Sequence, residues 1–258
     1  MPELPDLQVF SKNLTKKLAG KKLVKLDLIE KKKLKVSAAS IRKSVEGKKL
    51  QEVYRSGKEL RFKFDEDAII GLHLMLHGDL HLYEGKNTRK STIATMQFHD
   101  ETGLAITDWQ GMANLQLNPT DKEGIDALDA KLNASYLEEA LQTRAIVKNV
   151  LMDQNIIRGI GNAYADEILW EAGISPFSIS NRIPKKKIKE LAKKIKKVLK
   201  DAEKNILNSN PDLISGEVRG FLKIHNAKKK ESPGGSAILT KTAGGRKTYY
   251  TEEQELYI

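Results

Sequence analysis

The apolar residues of this chain change their period along the sequence, and that change limits the folds open to it. After Pro5, residues Leu7, Phe10, Leu14 and Leu18 fall at the spacing of one helical stripe, with Gly20 as a stop. Between residues 22 and 118 the period becomes two. Val24, Leu26 and Leu28 alternate with Lys25 and Asp27; Leu60, Phe62 and Phe64 alternate with Arg61 and Lys63; Leu80 and Leu82 flank His81. Several such runs in succession predict antiparallel sheets packed as a sandwich or barrel. Near Asn118-Pro119 the alternation ends, which places a boundary at about residues 118–132.

Helical signals then take over. Ser135 with Glu138 reads as a capping box opening a helix, and a short helix is expected around 145–153. The turn Gly159-Ile160-Gly161 leads into a helix from Asn162 to Ala172, closed by Gly173 and Pro176. A long helix follows Pro184, with Ile188, Leu191, Ile195, Val198, Ala202 and Ile206 as its buried stripe. From Phe221 onward, Gly234-Gly235 and Gly244-Gly245 bracket short β-like runs, the pattern of a small hairpin. The class predicted is α+β.

Lys and Arg number 45 against 34 Asp and Glu, a formal net charge of +11, which favours a polyanionic partner. Lys185, Lys186, Lys187, Lys189, Lys193, Lys194, Lys196 and Lys197 crowd the long helix, and such a run reads first as a solvated face. The chain has no cysteine, which excludes disulfides, thiol nucleophiles and thiolate zinc sites, and its five histidines lack metal-ligand spacing. No metal and no cofactor are expected. No basic leader with an apolar run opens the sequence, and no apolar stretch approaches the ~20 residues that span a bilayer. The expectation is a cytoplasmic protein with no membrane partner.

The sharpest chemical signal is at the start. Pro2 is small enough for the initiator methionine to be removed, which leaves a secondary amine. An α-amino group has a reference pKa of about 7.7–8, so part of it is neutral and nucleophilic at cellular pH. Attack on a sugar C1′ would expel a base and leave an iminium, with Glu3 beside it as a proton donor. On these two residues alone an ordinary helix lead-in is the better reading.

Four blocks in order decide between these readings. Met1-Pro2-Glu3-Leu4-Pro5-Asp6, Gly57-Lys58-Glu59-Leu60, Asp153-Gln154 with Gly159-Ile160-Gly161-Asn162-Ala163-Tyr164-Ala165-Asp166-Glu167, and Gly245-Arg246-Lys247-Thr248 together resemble the formamidopyrimidine-DNA glycosylase / endonuclease VIII family. The resemblance spans nearly the whole chain. It implies an N-terminal antiparallel β-sandwich catalytic domain over residues 1–125, a helix-two-turns-helix domain over 126–220, and a β-hairpin finger over 221–258. Family fingers hold zinc on four cysteines; this one would be zincless, with Tyr249, Tyr250, Leu256 and Tyr257 packing in place of the metal.

The resemblance further implies a bifunctional DNA glycosylase and AP lyase that excises oxidised bases in base-excision repair through an N-terminal proline Schiff base. Pro2, Glu3 and Lys58 would be catalytic. Lys58, His73, Asn162 and Arg246 would hold DNA phosphates. Leu76, Gln110 and Met112 would enter the space vacated by the flipped nucleotide. The implied partner is damaged double-stranded DNA, with single-stranded DNA a further candidate, bound by a monomer in the bacterial nucleoid.

Four positions depart from the family pattern. Leu76 stands where the family has Met, and Gln110 and Met112 stand where it has Arg and Phe. Gln110 lacks the charged fork that would read the orphaned base. Asp6 replaces the usual Glu, one methylene shorter. The changes at Gln110, Met112 and Asp6 motivate an alternative, a non-catalytic paralogue that binds damaged or bent DNA. An RNA-binding role for the helical motif is a third reading, which leaves the Pro-Glu-Leu-Pro start unexplained. The segment 208–220, where a cover for the flipped base would lie, carries no readable pattern.

Overall fold

The computed structural model describes residues 1–258, which divide into two compact units. Unit 1 comprises residues 1–121 with 206–217, and unit 2 comprises residues 122–205 with 218–258.

Unit 1 opens with helix α1 (Leu4–Leu18), whose stripe of Leu7, Phe10, Leu14 and Leu18 is buried as its spacing predicts. The strands are β1 (Leu23–Leu28), β2 (Leu50–Ser56), β3 (Glu59–Phe64), β4 (Ile69–His73), β5 (Asp79–Glu84), β6 (Thr92–Phe98), β7 (Thr102–Thr107) and β8 (Asn114–Leu117), with a short helix α2 (Ala38–Val45) after β1. They form two four-stranded antiparallel sheets, β1-β6-β7-β5 and β2-β3-β4-β8. Leu26, Met96, Leu104 and Ile106 of the first sheet and Leu50, Phe62, Phe64, Ile70 and Leu72 of the second share one apolar core, which makes the pair a sandwich.

Two details depart from simple alternation. A bulge between Leu23 and Lys25 resets the register of β1, so Leu23 is buried and Val24 faces out. Arg61, expected on the polar face of β3, is buried because it meets Asp121 at 2.8 Å and Glu59 at 3.2 Å. The segment after residue 206 packs on the same core through Leu213 and Ile214. It is pinned where Asn13 Nδ2 donates to the Leu213 carbonyl and Ser215 Oγ accepts from the Leu80 N–H.

Unit 2 contains the parallel pair β9 (Ile125–Asp126) and β10 (Ile157–Arg158), helices α3 (Ala134–Ala140), α4 (Val147–Met152) and α5 (Asn162–Glu171), the long α6 (Lys185–Ser209) as far as Asn205, then the hairpin β11 (Leu239–Ala243) and β12 (Arg246–Tyr250). Helix α3 starts earlier than Ser135 and Glu138 suggest. Its cap is Asn133, whose Oδ1 accepts from the Tyr136 N–H at 3.0 Å. Along α6 Ile188, Leu191, Ile195, Leu199, Ala202 and Ile206 are buried, and Val198 is half-buried at the stripe's edge. No helix is long and apolar enough to cross a membrane.

Candidate functional site

The start of α1 is clamped from both sides. Glu3 is its cap, and the Glu3 N–H donates to Asp6 Oδ2 at 2.9 Å while the Glu3 carboxylate accepts from the Asp6 N–H. Both acids are buried, so the shorter Asp6 closes this capping box without reaching further. Pro2 is buried beside them, and the Met1 ammonium, carried on the Pro2 nitrogen's acyl group, pairs with Glu217.

Lys58 lies in the two-residue turn between β2 and β3, where Ser56 faces Glu59, and it is half-buried. That turn is tied to α1, because Arg55 Nε donates to Gln8 Oε1 at 3.1 Å and its guanidinium also holds the Gly57 carbonyl at 2.9 Å. Thr15 Oγ1 both donates to the Val53 carbonyl and accepts the Val53 N–H, each at 2.8 Å. The helix that presents Pro2 and Glu3 and the hairpin that presents Lys58 are therefore one rigid assembly. His73 ends β4, and its Nδ1 accepts from the Met75 N–H at 3.1 Å.

Beyond His73, residues 74–78 and 108–113 form two neighbouring loops that expose apolar side chains. Leu76 is 60% exposed, Trp109 67% and Met112 42%, so Leu76 and Met112 are not core residues. The His77 and Trp109 rings lie 4.8 Å apart. Buried Asp108 fixes the second loop by accepting from the N–H groups of Gln110, Met112 and Ala113 at 2.6–2.9 Å. Gly111 supplies the turn at φ 61°, where a side chain would strain the backbone. Gln110 is exposed. Trp109 carried no sequence signal; it emerges only because so large a ring is left in solvent.

In unit 2, Gln154 braces the glycine turn. Its Nε2 donates to the carbonyls of Met152 and Ile160, and its Oε1 accepts from the Gly159 N–H. Gly161 is the cap of α5, which leaves the Asn162 side chain to reach the hairpin. Asn162 Nδ2 donates to the Lys247 carbonyl at 3.0 Å, next to Arg246. An open recess of about 360 Å³ is lined by Lys122, Asn149, Asp153, Gln154 and Asn155 together with Arg246. Gly244 adopts φ 55° there, where a side chain would strain the backbone, and a Cβ would crowd Asn149 Oδ1.

A buried polar network holds the hairpin. Lys148 and Asp166 are completely buried and 2.6 Å apart. Lys148 Nζ also donates to Thr248 Oγ1 at 2.7 Å, while Asp166 Oδ2 accepts from the Tyr249 N–H and contacts His225 Nδ1 at 2.7 Å. Glu167 accepts from three successive N–H groups, those of Lys223, Ile224 and His225. Two adjacent acids of α5 thus staple both the approach to the hairpin and its second strand. Tyr249 packs edge-on to His225 and Tyr250 to Phe177, as their predicted packing role requires. Leu256 does not: it is half exposed, because the final turn hydrogen-bonds through Glu255 and Tyr257 instead. Burial works to raise the Glu171 carboxyl, but Lys223 and Lys194 outweigh it and hold it below the usual range.

Known proteins match over most of this chain. The family model for the formamidopyrimidine-DNA glycosylase N-terminal domain matches residues 1–115, and that for the formamidopyrimidine-DNA glycosylase H2TH domain matches residues 124–209. The formamidopyrimidine-DNA glycosylase of Lactobacillus acidophilus is 31% identical with 97% of each chain covered, and that of Lactobacillus gasseri is 29% identical with both chains fully covered. A solved complex of the wild-type Lactococcus lactis Fpg with DNA containing an oxidised pyrimidine superposes with a TM-score of 0.88 at 26% identity, covering 98% of this chain and 100% of that one.

Proposed function

The chain belongs to the formamidopyrimidine-DNA glycosylase family, and on that premise we propose that it is a DNA-repair glycosylase that also cleaves the abasic strand as a lyase, with the Pro2 nitrogen as nucleophile. The observation that carries the reading is the reciprocal Glu3–Asp6 clamp, which fixes a buried carboxyl next to Pro2 on a helix that the β2–β3 hairpin holds in place. Once Met1 is removed, the secondary amine attacks C1′ of an extruded deoxyribose. The bond to the base breaks, and the base leaves with a proton. The C1′–O4′ bond then opens as the C1′–N iminium forms, with Glu3 giving its proton to O4′. Loss of a C2′ proton from the iminium expels the 3′-phosphate, a second elimination expels the 5′-phosphate, and water returns the free amine.

Lys58, His73, Asn162 and Arg246 take phosphates on this reading, and phosphate contacts fix register without reading sequence. Leu76 and Met112 fill the vacated space as apolar wedges. Oxidised bases in duplex DNA are the proposed substrate class, as in the ligand of the Lactococcus lactis complex.

Borohydride reduction on an abasic duplex tests the chemistry, because it converts the iminium into a stable cross-link. Cross-linking by the wild type, its weakening or loss in Pro2→Gly, and its absence in chains that mass spectrometry finds to retain Met1 are the expected results. Tight binding of the same duplex with no cross-link from a processed wild-type chain overturns it. That outcome would establish the non-catalytic alternative, which Gln110 in place of a charged fork favours.

A further inference from the structure

Helix α6 carries ten lysines against three acids, so seven of the chain's eleven excess positive charges lie on this one element. They are not distributed evenly. At about 100° per residue, Lys186, Lys189, Lys193, Lys196, Lys200 and Lys204 fall within an arc of about 80°, forming a strip roughly 27 Å long. No acid falls in that arc.

Ion pairing separates the strip from the rest of the helix. The four lysines outside it all have carboxylate partners: Lys185 with Glu138, Lys187 with Glu190, Lys194 with Glu171 and Lys197 with Asp201. None of the six within it forms an ion pair in the chain. Five are exposed, and Lys196 is half-buried. Like charges three and four residues apart repel, so Lys189–Lys193, Lys196–Lys200 and Lys200–Lys204 destabilise the free helix. A face meant only for solvent would interleave Glu with Lys, as the flanks of this helix do.

We propose that this strip is a second polyanion-binding surface, occupied by a segment of duplex DNA other than the one held for base excision. The inference rests on the DNA-glycosylase reading given above. Duplex DNA presents one charge per about 1.7 Å of its axis, so a straight line of ammonium groups meets phosphates along its whole length. Lysine suits the task, being a hydrated point charge with no geometric demand. An apolar groove formed by Leu132, Ala134 and Ala192 opens beside Lys189, Lys193 and Lys196, and an acidic peptide with an apolar anchor could use it. That groove meets only half the strip, which continues past it at both ends, and the extended backbone of a duplex fits the longer feature. The strip shares no residue with the recess around Arg246.

A Lys189→Gln, Lys193→Gln, Lys196→Gln, Lys200→Gln variant removes the charge but keeps helix-forming side chains. Wild type is first cross-linked with borohydride to a short abasic duplex, and a labelled undamaged duplex is then titrated over a range of salt concentrations. The wild-type adduct should bind the second duplex, and the variant adduct should bind it at least ten-fold more weakly, with a salt slope lower by about 3–4. The variant should form the cross-link at the wild-type rate with unchanged helical circular dichroism. Equal second-duplex binding by both adducts overturns the proposal. Poly-glutamate should compete poorly; competition as strong as that of DNA reassigns the strip to an acidic protein and likewise overturns it. If neither protein cross-links, the excision reading has failed instead, and the difference in salt slope on undamaged duplex still decides the role of the strip.

Discussion

The hairpin end of unit 2 and the exposed loops of unit 1 invert the ordinary partition of charged and apolar groups in opposite senses. In unit 2 the charges are inside: Lys148 and Asp166 have no solvent contact and meet at 2.6 Å. In unit 1 the apolar groups are outside: Leu76, Trp109 and Met112 project from neighbouring loops. Burying an ion pair costs desolvation that its attraction only partly offsets, and leaving large side chains in water forfeits roughly 1.5–3 kcal/mol each. The difference lies in where the deficit is made good. The buried pair is completed within the chain by Thr248, His225 and the Tyr249 N–H. The exposed trio finds no such completion, which is the condition of a surface kept for a ligand.

The first way to break this contrast is to remove one partner of the pair. Lys148→Met leaves Asp166 buried without its cation, and unit 2 should lose about 3–5 kcal/mol. Guanidinium unfolding followed through Trp170, in a Trp109→Phe background, measures it. Adding Asp166→Leu should recover most of the loss. A single substitution costing under about 1 kcal/mol would mean that packing, not the pair, holds the hairpin. Glu167→Gln should cost less, about 1–3 kcal/mol. The amide oxygen keeps the Ile224 and His225 N–H groups, and only the Lys223 N–H then faces a donor.

The opposite pattern is expected in unit 1. Trp109→Ala should change its stability by less than about 0.5 kcal/mol. The same variant should bind a lesion duplex about 5- to 100-fold more weakly, the range that base stacking on an aromatic ring supplies. Fluorescence anisotropy with a labelled duplex measures the affinity. A large stability loss with unchanged affinity would make Trp109 a packing residue and erase the distinction between the two regions.

How far the sequence foretold these regions follows from the range of the interactions involved. The α1 stripe, the sheet strands and the α6 stripe were legible because each depends on neighbours within a few positions. So were the glycine turn and the β11–β12 hairpin. The Lys148–Thr248 contact joins residues 100 apart, and Asp166 reaches Tyr249 across 83. No local pattern marks them, and Lys148 looks like any other lysine of a basic chain. Arg61 reads as a polar-face residue for the same reason, since its partner Asp121 lies on a distant segment. At α3 the sequence does not single out the cap, because Asn133 and Ser135 are both good caps and only geometry chooses. Among the predicted site residues, Pro2, Glu3 and Lys58 are carried by elements bonded to each other, and Asn162 is tied to the strand that bears Arg246.

Acid should separate the two units by the smallest effect of the set. In unit 1, burial first and Arg89 second lower the His81 pKa below its ordinary 6.5, against the opposing pull of Asp79. The folded unit therefore takes up this proton less readily than the unfolded chain does. Its contribution is complete above about pH 6.5 and is lost as pH falls from there toward the lowered value. In unit 2 a lowered group on α5 is Glu171, against an ordinary value of 4.5. Its contribution is present above that value and disappears only as pH falls further, through the folded pKa. Amide-exchange protection, corrected for the intrinsic rate at each pH, should thus begin to fall in β5–β7 near pH 6.5 while α5 holds until below about pH 4.5. His81→Gln should flatten the first decline and leave the second in place, because Glu171 lies in the other unit. Parallel declines in both units, or no response to His81→Gln, would show that the acid sensitivity of unit 1 arises elsewhere.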